Sequence, residues 1–250
     1  MTEFVVVIPA RFASERLPGK PLRNIAGKPM LQHVYERGVE SGAKEVIIAT
    51  DDQRIVDAAI SFDAAVYMTS PEHRSGTDRL AEVARTHVWS ADTVIVNLQG
   101  DEPLMPPPLI GLCASLLEDE RADVATLASP VRSEEDFVNP NVVKAVVDYE
   151  GFALYFSRAA IPFARSADPV CPAMESTLHH HGIYAYRNAV LQQIVDADQS
   201  PLELAEQLEQ LRAMSLGMRI KVGIPDFRPG PGVDTEEDLQ VVEALLRSSG

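Results

Sequence analysis

Cysteine is nearly absent from this chain: Cys113 and Cys171 are the only two in 250 residues, far apart and without metal-ligand spacing. That argues against a disulfide scaffold or a cysteine-bound zinc, and a reduced, cytosolic protein is expected. Long hydrophobic runs are missing too. No stretch nears the roughly 18 consecutive apolar residues of a membrane span, although 46% of the residues are hydrophobic, ample for a large core. No basic n-region precedes the first apolar stretch, so neither a signal peptide nor a membrane partner is expected, and the expected location is cytoplasmic. Basic residues are in deficit, with 22 Lys and Arg against 37 Asp and Glu and a net charge of −15. Such a surface repels polyanions and excludes a nucleic-acid partner. The few local groups of cations therefore stand out as sites for small anionic ligands. Repeats, low-complexity tracts and long linkers are also lacking, so one domain is expected over 1–250, with a subdomain within about 131–200.

Glycine is scarce in the one loop where two common phosphate-binding motifs would need it. Val5-Val6-Val7-Ile8 reads as a strand buried on both faces, and Pro9, which has no N–H to donate, is expected to end it. The loop that follows carries Arg11, Arg16 and Lys20 but only Gly19. A Walker A loop requires G-x-x-x-x-G-K-[ST], yet Gly19-Lys20 is followed by Pro21, and Ser14 stands where the first glycine belongs. The three spaced glycines of a dinucleotide fingerprint are absent as well. In open α/β sheets ligands sit beyond the carboxyl ends of strands, so three cations there point to an anion site held by side chains, although a solvated charged turn has the same composition.

Strands expected at 4–8, 45–50, 65–68 and 93–98 alternate with helices at 29–41, 53–62, 77–88 and 109–119. Such βαβα order implies an α/β fold with a Rossmann-like, mostly parallel central sheet covered by helices on both faces. The middle third is richer in strands, at 122–130, 142–148, 153–157 and 180–187, with a hairpin turn at Asp148-Tyr149-Glu150-Gly151. It reads as a smaller inserted β-rich subdomain. Helices follow at 188–196 and 201–215, then a strand at 218–224 and a closing helix at 235–247.

Several residues could carry chemistry. Strand 93–98 delivers Gln99-Gly100-Asp101-Glu102-Pro103 to the same sheet edge as the cationic loop. There Asp101 is either a metal ligand or a turn residue. Asp234 could cap the last helix with Glu237, but Thr235 with Asp238 could do so one residue later and leave Asp234 free. Ser75-Gly76-Thr77-Asp78-Arg79 opens a helix, as an anion contact or simply as a helix start. Strand alternation puts His180, Gly182, Tyr184 and Tyr186 on one face and His179, His181, Ile183 and Ala185 on the other. His179 and His181 have the spacing of a zinc pair without an evident third ligand. On helix 201–215, Leu204, Leu208 and Leu211 mark a core face with Glu209 and Gln210 beside it, and Arg158 ends a strand.

Taken in order, Ile8-Pro9-Ala10-Arg11, Leu17-Pro18-Gly19-Lys20-Pro21-Leu22, Ser75-Gly76-Thr77, Gln99-Gly100-Asp101-Glu102-Pro103, Asn139-Pro140-Asn141, Tyr155-Phe156-Ser157-Arg158, Gly182-Ile183-Tyr184 and Gly232-Val233-Asp234-Thr235 resemble the 3-deoxy-manno-octulosonate (Kdo) cytidylyltransferases. The likeness spans essentially the whole chain. Sialic acid activators share the opening Ile-Pro-Ala-Arg but not Leu-Pro-Gly-Lys-Pro-Leu. Two positions depart from the family pattern: Asp78 stands for a glutamate, and His181 for an aliphatic residue. The resemblance implies a cytidylyltransferase that activates Kdo with CTP for lipopolysaccharide synthesis. It implies Pro9, Ala10, Arg11, Lys20, Ser75, Gly76, Arg79 and Gln99 at the nucleotide, with Arg11, Lys20, Asp101 and Asp234 catalytic. It further implies Mg2+ on Asp101 and Asp234, and Arg158, His180, Tyr184, Glu209 and Gln210 at the sugar acid. Arg158 and His180 are then the expected partners of the sugar carboxylate, and a homodimer through the middle subdomain is expected.

Overall fold

The structure is a computed structural model that describes residues 2–13, 16–163, 165 and 176–248. Its first strand, β1 (Phe4–Ala10), is inaccessible on both faces. Phe4, Val6, Ile8 and Ala10 enter one core layer, and Val5 and Val7 enter the other. Burying one such side chain contributes about 1.5–3 kcal/mol, so this strand anchors both layers.

The remaining strands are β2 (Asn24–Ile25), β3 (Lys28–Pro29), β4 (Glu45–Thr50), β5 (Ala65–Met68), β6 (Val94–Asn97), β7 (Val124–Pro130), β8 (Lys144–Val147), β9 (Ala153–Ser157), β10 (Leu178–Arg187) and β11 (Ile220–Gly223). Their main sheet runs β11-β7-β10-β6-β1-β4-β5. All neighbours along it are parallel except those of β10, which is antiparallel to both β6 and β7. The hairpin β8–β9 joins the same sheet where Leu178 and His179 of β10 pair with Ala145 and Lys144. Because β10 runs the other way, its first residues lie at the edge where β1 and β6 end. Helices α1 (Met30–Glu40), α2 (Gln53–Ser61), α3 (Gly76–Thr86) and α4 (Pro107–Ser115) connect the strands of the first half. No helix among the described residues is long and apolar enough to cross a membrane.

Three sequence expectations change. Pro9 does not end β1, which continues through Ala10, with Pro9 paired to Ala49 and Ala10 to Thr50. The Val7 carbonyl accepts from Leu98 on the β6 side, so Pro9, two residues on, turns its ring nitrogen to that same side. The β1–β6 ladder has already stopped at Val7–Asn97, so the missing donor costs nothing. Helix α3 starts at Gly76 with Ser75 as its cap, in a capping box with Asp78, one residue or more before the expected start.

The expected helix 201–215 is two helices, Pro201–Glu206 and Gln210–Ser215, broken at Gln207 with φ +52°. Glu203 and Arg212, nine residues apart, would lie on opposite faces of one continuous helix. The break brings them into a buried two-bond ion pair at 2.6 and 2.8 Å. Glu203 thereby becomes the inward residue of its turn, while Leu204, expected in the core, is exposed. A third apolar cluster, Leu17, Ile25, Met30, Val233, Leu239 and Val242, packs the cationic loop against the last helix, Glu236–Ser248.

Candidate active site

Lys20 is the centre of the first group. Its ammonium donates to Asp101 at 2.7 Å and to Asp234 at 2.9 Å, and Arg16 approaches Asp234 at 3.2 Å. The backbone holds the two carboxylates together independently, because Val233 N–H donates to the Asp101 carbonyl at 2.9 Å. Gly232 permits that approach: a Cβ there would come within 3.0 Å of the Glu102 carboxyl. Thr235 and Asp238 form the reciprocal cap of the last helix, which frees the Asp234 side chain for Lys20. Burial would lower the Lys20 pKa, but the charge and hydrogen bonds of Asp101 and Asp234 outweigh it and hold the ammonium charged. Burial, reinforced by Asp101, pushes the Glu102 carboxyl up to about 8.

Beside this group lies a cavity of about 240 Å³ lined by Pro9, Ala10, Arg11, Lys20, Gly76, Gln99 and Asp101, among others. Arg11 reaches it from the end of β1 and is fixed by donating to the His73 carbonyl at 3.0 Å. The His73 ring in turn bonds Glu82 on α3. Gly100 sits so close under β1 that a Cβ would lie 2.9 Å from the Pro9 carbonyl.

A second cavity of about 320 Å³ shares Gly76 and Gln99 with the first. His180, Tyr184, Glu209 and Gln210, all expected from the sequence, line it. A bulge between His181 and Tyr184 shifts the β7–β10 register, yet keeps His180 and Tyr184 on one face with ring centroids 5.3 Å apart. The bulge leaves the Ile183 carbonyl to the buried Thr126 hydroxyl, at 2.7 Å. With its single proton so used, Thr126 accepts from His180 Nε2 at 3.0 Å, which places the imidazole proton on Nε2. Burial, then His181 and His179, pushes the His180 pKa down to about 3. His180 is therefore a neutral hydrogen-bonding group with its Nε2 proton engaged by Thr126. Across the cavity Thr77 donates to Glu209 at 2.7 Å, and burial raises the Glu209 pKa. The Tyr184 hydroxyl and Gln210 Nε2 are buried without a hydrogen-bond partner.

Three expected residues are placed differently. Arg79 lines neither cavity; its guanidinium is buried against Thr69 at 2.6 Å, the Ser70 carbonyl and Asp51. Ser75 is occupied as the α3 cap. Arg158 does not line the cavities either, and donates to the carbonyls of Glu206, Pro140 and Gln207. Beyond the shared anion-contact reading of Ser75–Arg79 for Thr77, sequence reasoning assigned no role to Asn97, Asn141, Tyr186 or Arg212, and all five line the larger cavity. Asn97 was detectable as the polar residue of an apolar strand, and Tyr186 by its alternation with Tyr184. The rings of His179 and His181 lie 5.1 Å apart, tilted by 50°, and no cluster of three or more metal-ligating side chains occurs among the described residues. Cys113 is free and buried, while Cys171 lies outside the described residues.

A family profile described as Cytidylyltransferase matches residues 5–220. A 3-deoxy-manno-octulosonate cytidylyltransferase of Cellvibrio japonicus is 54% identical over 97% of this chain and 98% of its own length. One from Idiomarina loihiensis is 52% identical over 97% and 98%. A solved structure of CMP:2-keto-3-deoxy-manno-octonic acid synthetase complexed with CTP superposes with a TM-score of 0.90, at 44% identity and full coverage of both chains. The chain belongs to the cytidylyltransferase family, as a nucleotidyltransferase of its 3-deoxy-manno-octulosonate branch.

Proposed function

We propose that this enzyme joins CTP and Kdo to give CMP-Kdo and diphosphate, the activation step for lipopolysaccharide synthesis. The anomeric hydroxyl of Kdo attacks the α-phosphorus, a new P–O bond forms there, and the bond to the β-phosphate oxygen breaks. The observation that carries this reading is the convergence of Lys20, Asp101 and Asp234 at the end of a cleft whose two cavities share Gly76 and Gln99. The smaller cavity takes the nucleotide, and the larger takes the sugar acid.

Two half-exposed carboxylates suit Mg2+, which is commonly held by one or two carboxylates together with substrate phosphates and water. Asp101 and Asp234 would hold it, and it would neutralise triphosphate charge and acidify the attacking hydroxyl. Lys20, which donates to both carboxylates, would offer its ammonium to the phosphates. Arg11, held by His73, meets the charge that develops on the leaving diphosphate. Phosphoryl transfer of this kind needs alignment and charge neutralisation more than a covalent protein intermediate.

In the larger cavity the unpartnered Tyr184 hydroxyl and Gln210 amide are donors suited to an oxygen-rich ligand. Neutral His180 supports a hydroxyl contact, and Glu209 accepts from another hydroxyl. Among the described residues the Arg158 guanidinium donates to main-chain carbonyls and pairs with no carboxylate, so its charge remains for the sugar carboxylate. A cytoplasmic homodimer is part of the same reading, and the exposed Tyr149, Leu154 and Phe163 of the middle segment support an interface there.

The test is diphosphate release from CTP and Mg2+ with Kdo, beside sialic acid, an amino-substituted Kdo and no sugar. Release with Kdo alone is expected. Release only with another acid sugar would reassign the substrate, and CTP binding without release would overturn catalysis.

A further inference from the structure

Phe12 lines neither cavity, yet it joins the two cations that do. It follows Arg11 directly, and its carbonyl accepts from the N–H of Gly19, the residue before Lys20, at 3.3 Å. Gly19 has φ +66°, and a Cβ there would come within 3.1 Å of the edge of the Phe12 ring. The face of the ring carries Arg54, whose guanidinium carbon lies 3.3 Å from the ring centroid. Arg54 is itself gripped by both oxygens of Asp52, at 2.8 and 2.6 Å. Asp52 also caps α2 by accepting from the Arg54 N–H, so the grip is fixed to a helix end.

These contacts form a chain from α2 through Asp52, Arg54 and Phe12 to Gly19. It closes the neck of the loop at the point where Arg11 leaves and Lys20 returns. Arg11 is fixed on its other side by His73, and Lys20 by Asp101 and Asp234. What remains to be set is the separation of the two cations across the loop. We propose that Phe12 and Arg54 are positioning residues that set this separation, so that Arg11 and Lys20 engage one triphosphate together. The inference rests on the nucleotide reading of the smaller cavity. Arg54 suits the task because a planar guanidinium can lie on an aromatic face and bind a carboxylate through two N–H groups at once. A lysine at that position cannot do both.

Phe12→Ala, Phe12→Tyr, Arg54→Ala and Arg54→Lys are compared in the full chain by CTP calorimetry, steady-state kinetics with each substrate varied, and thermal unfolding. Phe12→Ala and Arg54→Ala are expected to raise Kd and KM for CTP by ~10-fold, in keeping with the sensitivity of rates to ångström misplacement. KM for Kdo is expected to stay within about twofold, because the larger cavity does not touch the neck. Phe12→Tyr, which keeps the ring, restores CTP affinity, whereas Arg54→Lys recovers only part of it. An unchanged CTP Kd in the alanine variants overturns the proposal. So does an equal rise in both KM values with a lowered Tm, the signature of a merely structural role. If Phe12→Ala does not fold, Arg54→Ala decides the matter, since that side chain is largely exposed. Wild-type protein that fails to bind CTP would instead overturn the nucleotide reading itself.

Discussion

The Thr77 hydroxyl donates to Glu209 across 2.7 Å, tying the first turn of α3 to the loop that opens the helix Gln210–Ser215. This bond joins two residues that line the larger cavity and supplies a donor to a carboxyl whose pKa is raised, chiefly by desolvation. Thr77→Val keeps the shape and removes the donor. Glu209 is exposed on its outer side, so the bond is worth the lower end of the about 1.5–3 kcal/mol of hydrogen bonds to charged groups, and KM for Kdo should rise by up to ~10-fold while KM for CTP changes less than about twofold. Steady-state kinetics with each substrate varied in turn decides it, and an unmoved Kdo KM would remove Glu209 from the sugar site.

Asp101→Asn and Asp234→Asn retain size but halve the negative charge around Lys20. Each should lower kcat by at least ~100-fold and raise the Mg2+ concentration needed for half-maximal rate. A magnesium titration of both variants checks this, and a normal titration curve would take the metal away from these residues.

His180 and His181 both have pKa values pushed down to about 3, chiefly by burial, from an ordinary 6.5. Between these values the unfolded chain binds protons that the folded chain refuses. The stability they contribute is therefore present above pH 6.5 and is lost as pH falls towards 3. His181→Leu deletes one of the two groups, so between pH 6 and 4 stability should fall less steeply with pH, by up to about 1.4 kcal/mol per pH unit. Urea denaturation at a series of pH values measures the slope; an identical slope would mean that His181 is not buried as described.

Gly100 approaches β1 so closely that a Cβ would lie 2.9 Å from the Pro9 carbonyl. Gly100→Ala must displace the backbone between Pro9 and Arg11, and a fall in kcat/KM for CTP of ~10- to 100-fold is expected with little loss of Tm. Unchanged kinetics would show that the loop absorbs the shift.

Much of this arrangement was legible in the amino-acid order because it rests on local rules. The alternation of β10 put His180 and Tyr184 together, and a bulge that adds two residues preserves the parity on which that reading depended. Thr235 and Asp238 cap the last helix by themselves, so of the two readings the sequence left open for Asp234 the structure holds the one in which it is not the cap. What escaped depends on distant partners. Pro9 continues its strand because β6 has stopped pairing beside it. The break at Gln207 follows from an ion pair between Glu203 and Arg212, which no helical periodicity announces. Arg79 was read as a ligand contact, yet Asp51 and Thr69, brought close by the packing of β4 and β5 against α3, engage it first.

The ladder between β6 and β10, in which Tyr184 stands opposite Asn97, has a further consequence. The strand that leads to Gln99 and Asp101 and the strand that carries His180 and Tyr184 are bound edge to edge, at the ~4.8 Å spacing of paired strands. On the proposed reading, the distance between the two reactants is thus set by directly paired backbone. Such an enzyme discriminates by reach. A sugar acid whose nucleophilic hydroxyl sits one bond too far from its carboxylate would occupy the larger cavity and still miss the phosphorus, binding as an inhibitor of the reaction it was meant to enter.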